Sequence, residues 1–354
     1  MDRRDRFKGL VLGTAVGDAL GYPAEGLSRT RIGRLYKGRW RHRFLLGHGM
    51  VSDDTDHTVF VAQALLAHPD DVERFVRRLA RSLRWWLLGL PVGIGRATLR
   101  SILRLWIGFG PSRSGVFSAG NGAAMRAAVI GAFFAHDRAR IDAYLRAQTE
   151  LTHSDPKALV GARAVAYLAA WTVRDDLVGR PDAEKLQAIL RSAARGDEEW
   201  DDLASRLHRA AVGNVTTEGF ADSLGLSRGV TGYVYHTVPV AVFAWYRNFG
   251  DFEATLRDVM DCGGDTDTVG AIAGALAGTV TGESGIPDDW IAGLADWPRG
   301  TRRLREIAER VHEGSQRRKP LAPVRYFWPA MPLRNAIAFV ITLAHLARRL
   351  APPY

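Results

Sequence analysis

Cysteine is nearly absent: Cys262 is the only one in 354 residues. An intrachain disulfide is impossible, so cysteine usage gives no argument for an oxidising compartment. Lysine is also scarce, and arginine carries most of the positive charge in dispersed clusters such as Arg77-Arg78, Arg302-Arg303 and Arg317-Arg318-Lys319. Lys and Arg outnumber Asp and Glu by 48 to 38, a formal charge of +10. That balance favours anionic partners, a nucleotide diphosphate as well as a nucleic acid, although arginine used simply as the preferred solubilising residue is the reading with more weight. No apolar run near the C-terminus reaches the roughly 20 residues of a membrane span. The longest there, Ala336 to Leu346, contains Thr342 and His345 and is followed by Arg348 and Arg349. A packed terminal helix is expected, without stable membrane insertion; a membrane-surface helix is the lesser alternative. The opening MDRRDRFKGLVLG lacks the apolar core and cleavage site of a signal peptide, so a cytoplasmic location is expected. Alternating strands, internal repeats and low-complexity linkers are missing as well.

What is present reads as helix. Hydrophobic residues make up 47% and charged residues 24%, the balance of a soluble chain with a large core. Residues 56–67, 71–88, 156–173, 182–194 and 200–211 place apolar side chains at three-to-four spacing. Residues 9–20, 121–134, 161–170 and 269–280 are rich in Ala, Gly and Val and almost uncharged. Helices apolar all round are buried, and small residues let neighbouring backbones approach. The expected fold is all-α, a compact bundle around a layer of small-residue helices. One unit spans residues 1–314; residues 315–354 form a basic, Pro-rich connection and a terminal helix packed on it. No obligate protein partner is implied.

The unusual residues cluster at helix starts. Ser52-Asp53-Asp54-Thr55-Asp56 opens one helix and Gly263-Gly264-Asp265-Thr266-Asp267-Thr268 opens another. Ser, Thr and Asp are favoured helix caps, so either motif alone reads as a cap. A cap needs one such residue, and carboxylates this dense repel one another unless a cation balances them. All the ligands offered are hard oxygens, which suit Mg²⁺, Mn²⁺ or Ca²⁺ rather than zinc. Two such clusters meeting would hold two ions roughly 3.5–4 Å apart. Asp18, in the apolar run Gly17-Asp18-Ala19-Leu20-Gly21, is costly unless paired or functional; Glu25 follows it. Ser118 to Arg126 offers a glycine-rich turn whose N–H groups suit phosphate. Thr152-His153-Ser154-Asp155-Pro156 and Gly229-Val230-Thr231-Gly232-Tyr233 complete the set. His236 reads as a structural histidine and Cys262 as inert packing.

In their order, GDALG (17–21), SDDT (52–55), GNGAAMR (120–126), THSDP (152–156), TGY (231–233) and GGDTDT (263–268) resemble the ADP-ribosylglycohydrolase family, from Gly9 to about Gly282. The resemblance implies an all-α fold with a two-magnesium centre, manganese being a possible substitute. Ser52, Asp53 and Asp54 match one metal-binding stretch; Asp265, Asp267 and Thr268 match the other. Glu25 matches an acid that serves some relatives as general base or gate. Gly120, Asn121, Gly122 and Arg126 match a loop near ADP-ribose, His153 a pocket histidine, and Gly229, Thr231, Gly232 and Tyr233 a segment lining the nucleotide pocket. Two departures stand out. His236 replaces an acid common in relatives, and the loop around Gly93 lacks an Asp found in arginine-specific bacterial members.

The chemistry implied is attack by water on the glycosidic bond of an ADP-ribosylated protein, nucleic acid or small molecule. Asp54, Asp267 and Glu25 would be the catalytic carboxylates, with Glu25 activating water or protonating the leaving group. Arg126 and the amides of 120–122 would hold the diphosphate, and Tyr233 would pack on adenine. The first rival is a non-catalytic ADP-ribose reader or structural relative of the same fold. A distant second is a binder of nucleic acid or membrane surface driven by charge alone.

Overall fold

Two helices in the chain pack backbone against backbone, and glycines make this possible. A computed structural model describes residues 1–174, 179–194, 196–317 and 319–349; Arg318 and residues 350–354 of the basic C-terminal segment lie outside them. In chain order the helices are α1 (Arg3–Gly21), α2 (Arg29–Leu35), α3 (Asp53–Ala67), α4 (Val72–Leu88), α5 (Arg96–Trp106) and α6 (Ala128–Phe133). There follow α7 (Arg138–Glu150), α8 (Pro156–Thr172), α9 (Ala183–Ala194), α10 (Glu198–Val212), α11 (Thr217–Ser223) and α12 (Val234–Arg247). The last are α13 (Phe252–Asp261), α14 (Thr266–Thr281), α15 (Asp288–Ala292), α16 (Gly300–Arg317) and α17 (Met331–Arg349). β pairing among the described residues is limited to isolated bridges. The protein is all-α.

α1 and α14 run antiparallel at the centre. A Cβ on Gly9, Gly13, Gly17 or Gly21 would lie 2.0–2.3 Å from the carbonyl oxygen of Gly278, Gly274, Gly270 or Thr266 respectively. Each four-residue step up one helix is matched by a four-residue step down the other, so one glycine face meets its like over four turns. Around this seam, Leu10, Leu12, Val16, Ile272 and Leu276 are fully buried, each stabilising the fold by about 1.5–3 kcal/mol. Short polar residues start the surrounding helices. The Asp71, Asp137 and Asp197 carboxylates accept from backbone N–H groups of α4, α7 and α10, as capping requires.

Residues 121–134 correct one expectation. They do not form a continuous helix: Asn121–Ala123 is a 3₁₀ turn, and α6 begins only at Ala128. The start of this segment is tied sideways, since the Asn121 N–H donates to Gly232 O at 3.0 Å. An all-apolar pattern cannot tell a buried turn from a buried helix. The terminal helix is longer than its apolar stretch at residues 336–346, and Met331, Arg334, Asn335 and Ala338 are its buried residues. Asp56 likewise stands apart from its neighbours in the acidic run. It joins a buried network in which Arg299 bridges it to Asp296, Trp86 Nε1 donates to it at 2.7 Å, and Arg334 reaches Asp296 at 3.0 Å. Two residues along a helix lie on opposite faces, so Asp54 and Asp56 serve different neighbours.

Backbone contact of this kind leaves no flexible side chain to yield. Gly274→Val should destabilise the protein by about 3 kcal/mol or more, measured by chemical denaturation. Gly33→Ala in α2, where a Cβ meets nothing within 4 Å, should be neutral or gain up to about 1 kcal/mol.

Candidate active site

The site forms where the starts of α3 and α14 meet the end of α1. Asp18, near the C-terminal end of α1, is fully buried. It accepts from the Ser52 N–H at 2.9 Å, the Thr55 N–H at 3.1 Å and the Thr55 hydroxyl at 2.6 Å. It thus caps α3 from outside that helix, which accounts for an acid in an apolar run. Burial pushes its carboxyl up to about 6 despite these hydrogen bonds. Asp54 joins the two helix starts, because the Ser52 and Thr268 hydroxyls both donate to its Oδ2 at 3.3 Å. Its other oxygen, Oδ1, is buried with no hydrogen-bond partner.

Carboxylates crowd this corner. One ligand oxygen each from Glu25, Asp265 and Asp267 lies within 4.8 Å of the others. Burial, reinforced by neighbouring acids, pushes Asp53, Asp54 and Asp267 well above the usual carboxylate range. Burial, then Asp265, raises Glu25 to about 7, while Arg349 pulls it back. Oxygen-only donors, one orphaned buried carboxylate oxygen and unrelieved repulsion are what a divalent cation site requires. The residues fit such ions.

A tight turn sets the second acid motif. Gly263 and Gly264 adopt φ of +73° and +85°, and a Cβ on Gly264 would lie 1.9 Å from Val230 O. The Gly264 N–H donates to Leu27 O and the Asp265 N–H to Val230 O, so the turn is clamped between the Glu25 loop and the Val230 segment. Gly229 (φ +143°) makes the same close approach; it supports the turn and does not line the cavity.

The cavity beside these acids encloses about 510 Å³, and Asp53, Asp265, Asp267 and Thr268 form its acidic wall. Gly120, Asn121, Gly122, His153 and Gly232 form the other wall, with Glu25 at the edge. Asn121 Nδ2 donates to Asp265 Oδ2 at 2.6 Å and to the Thr237 hydroxyl at 3.0 Å, so it orients an acid. Cβ atoms on Gly120 and Gly122 would lie 3.0–3.1 Å from the His153 ring; glycine keeps the ring open to the pocket. Gly93 also lines the cavity, and a Cβ there would lie 3.1 Å from Asp53 Oδ1.

Besides Gly229, three predicted residues sit elsewhere. Arg126 is fully buried under the wall, donating to Gln148, to the Thr152 hydroxyl at 2.7 Å and to His57 Nδ1 at 2.9 Å. It cannot touch a diphosphate in the cavity. It acts through Thr152, whose hydroxyl accepts from Arg126 and shares a hydrogen bond with His153 Nδ1 at 2.8 Å. Burial and Arg126 push His153 down to about 3, so the ring is neutral. Tyr233 is also outside the cavity: its hydroxyl donates to Glu199 at 2.8 Å and accepts from Lys157 at 2.9 Å. Thr231 is exposed and bonds His236 Nδ1 at 2.9 Å. Conversely, Arg96 and Thr98 line the cavity without a signal in the sequence motifs, and Ser118 and Met125 join them from within the glycine-rich segment. A larger cleft of about 720 Å³ lies between α4 and residues 323–328, but its wall is arginine and aromatic with no carboxylate. It offers nothing for acid–base hydrolysis.

The protein is thus an all-α scaffold with an acid-lined cavity where three helix ends meet. Residues 1–321 match the profile of the ADP-ribosylglycohydrolase family, and the chain belongs to that family, enzymes that hydrolyse glycosidic bonds to ADP-ribose. It is 34% identical over 318 residues to an uncharacterized protein of Archaeoglobus fulgidus, covering 87% of this chain and 96% of that one. It is 29% identical over 299 residues to the ADP-ribosyl-[dinitrogen reductase] glycohydrolase of Rhodospirillum rubrum, covering 82% and 90%. A solved structure titled ADP-ribosylglycohydrolase-related protein complex superposes with a TM-score of 0.65 at 28% identity, over 88% of this chain and 99% of that one.

The raised carboxyls set a pH test. A carboxyl with a folded value above its unfolded value contributes stability below the unfolded value and loses it as pH rises through the folded one. For Asp18 and Glu25 that window runs from about 4 to about 6 and 7. Metal-free protein should therefore lose stability from this cluster between pH 4 and 7, and Mg²⁺ should restore it. At saturation the melting temperature should rise by about 5–10 °C at pH 7.5 and far less at pH 5, by calorimetry with and without chelator. An equal rise at both pH values would contradict this reading.

Proposed function

We propose that this chain is a divalent-metal-dependent hydrolase that releases ADP-ribose from a modified protein, nucleic acid or small molecule. The observation that carries the reading is the convergence of Asp53, Asp54, Asp265 and Asp267 with Glu25 beside one cavity. Asp53, Asp54, Asp265, Asp267 and Thr268 would hold two magnesium ions, with manganese as substitute and Ser52 supporting Asp54. Bound there, the ions would supply Lewis acidity toward ribose hydroxyls and water.

The protein's own groups account for the rest. Glu25, with a proton affinity near neutrality, can take a proton from water or give one to the leaving group. His153 presents an uncharged imidazole edge to the cavity, suited to hydrogen bonding with a sugar hydroxyl. Asn121 fixes Asp265, and the carboxylates around the anomeric carbon stabilise its oxocarbenium-like transition state. Because Arg126 is sealed below the wall, the diphosphate falls to Arg96. It is exposed at the first turn of α5, lines the cavity and forms no ion pair among the described residues. The N-cap before it, Gly95, has no side chain to occupy the α5 amides, so helix and guanidinium attract the anion together. Gly93 leaves the wall beside Asp53 without a carboxylate, which disfavours ADP-ribosyl-arginine as substrate.

Two substitutions test this. Asp267→Asn should abolish metal-dependent ADP-ribose release while the metal-free protein keeps or gains stability, since a repelling charge is removed; full activity would defeat the proposal. Arg96→Ala should weaken ADP-ribose affinity about tenfold or more in calorimetric titration, and unchanged affinity would remove Arg96 from the site.

A further inference from the structure

α17 is built inside out. A helix on the surface of a soluble protein turns its apolar stripe toward the core. The inward stripe of α17 is largely polar. Arg334 donates to Val51 O at 2.7 Å, Asn335 to Gly89 O at 2.7 Å, and Arg349 to Pro23 O and Glu25 O at 2.8 Å. Thr342 meets the Tyr22 hydroxyl at 3.1 Å, and His345 Nε2 bonds Phe44 O at 2.8 Å. The outward side chains, Leu333, Ile337, Phe339, Val340, Leu343 and Leu346, are 48–65% exposed. No Asp, Glu, Lys or Arg lies between Arg334 and Arg348. An apolar strip of this kind on a soluble protein marks a contact surface.

The strip continues onto α4. Asn335 holds the turn that carries exposed Leu88 and Leu90, and Trp328 meets exposed Trp85 edge-on. The segments that form the strip are basic in sequence: from Arg74 to His136 the chain has ten arginines and no acid, and after Glu313 it has six arginines, one lysine and no acid. Of these, Arg126 and Arg334 are buried, and Glu25 lies beside Leu346 and Arg349 at the inner edge of the helix. The Trp328–Arg349 segment is long and apolar enough to cross a membrane, but crossing would strip away every inward hydrogen bond. A second copy is disfavoured to the extent that a two-fold contact would bring the arginines flanking this face against their own copies.

We propose that the outer face of α17, with the turn after α4, docks in the plane of an anionic phospholipid bilayer. The aliphatic and aromatic side chains enter the boundary between headgroups and acyl chains, and the flanking arginines meet lipid phosphates. The occupant is identified by complementarity: an apolar strip flanked by arginine-rich, acid-poor segments matches a negatively charged lipid surface.

The test is co-sedimentation of the full chain with vesicles of phosphatidylcholine alone or with phosphatidylglycerol added. Binding should require the anionic lipid and fall with salt. The double variant Ile337→Glu, Val340→Glu, confined to the outer face, should lower the bound fraction about tenfold or more. Its melting temperature and its ADP-ribose release from a soluble substrate should be unchanged. Equal sedimentation with both vesicles, or none, would overturn the proposal. So would a dimer in light scattering that the double variant dissociates, which would give the face to a second copy, or resistance to alkaline extraction, which would mean a spanning helix.

Discussion

Everything at the site depends on two backbones touching. With glycine at four successive turns of α1, the helix lies directly on α14, and neither can slide or rotate without driving carbonyl oxygens into Cα atoms. Packing among larger side chains has some give, because rotamers change; backbone on backbone has almost none. The Thr266 hydroxyl donates to Gly21 O at 2.7 Å, locking the register at the end where chemistry occurs. Asp18 on α1 and Asp267 on α14 are therefore fixed relative to each other before any metal binds. Asp18 then captures the amides of α3 and carries Asp53 and Asp54 into the same corner.

This arrangement concentrates negative charge where burial already disfavours it. The first turns of α3 and α14 place positive helix ends beneath the acids, and hydroxyls from Ser52 and Thr268 satisfy one oxygen of Asp54. These devices are not enough, since the acids remain raised and Asp54 Oδ1 remains unpartnered. The site is thus a local instability held by a rigid surround. The stability comes from elsewhere: the glycine seam, its apolar flanks and the fully buried aromatics of α12 and α13.

How far the sequence could be read follows from the range of each interaction. The all-α class and the small-residue centre were legible because periodicity and composition are local. Both acid motifs were legible because each is contiguous and carries more oxygen than a cap requires. Asp56 was not separable from Asp54, since only the helix face distinguishes them and only tertiary structure says what each face meets. Arg126 and Tyr233 sit in motifs that border the cavity, yet their side chains turn away, one into a buried network and the other to Lys157 and Glu199. Arg96 gave no signal, because a lone arginine in an arginine-rich chain is unremarkable until a helix start aims it into a cavity. The facing of the terminal helix was not legible for a similar reason: nothing local tells which side of an apolar helix faces the protein.

That helix also bears on the chemistry. The family profile ends at residue 321, and α17 lies beyond it, yet Arg349 binds the carbonyls of Pro23 and Glu25. The loop that carries Glu25 is thus held on one side by Gly264, whose carbonyl oxygen accepts from the Gly26 N–H at 2.7 Å, and on the other by the last described turn of the chain. The same two neighbours set its proton affinity in opposite directions. Burial and Asp265, next to Gly264, raise it, whereas the Arg349 guanidinium lowers it, and the balance falls at about 7. A carboxyl that must both accept and release a proton needs a value near the working pH. Here that value depends on a residue more than three hundred positions away in the chain, so the terminal helix is as much a part of the site as the motifs that announce it.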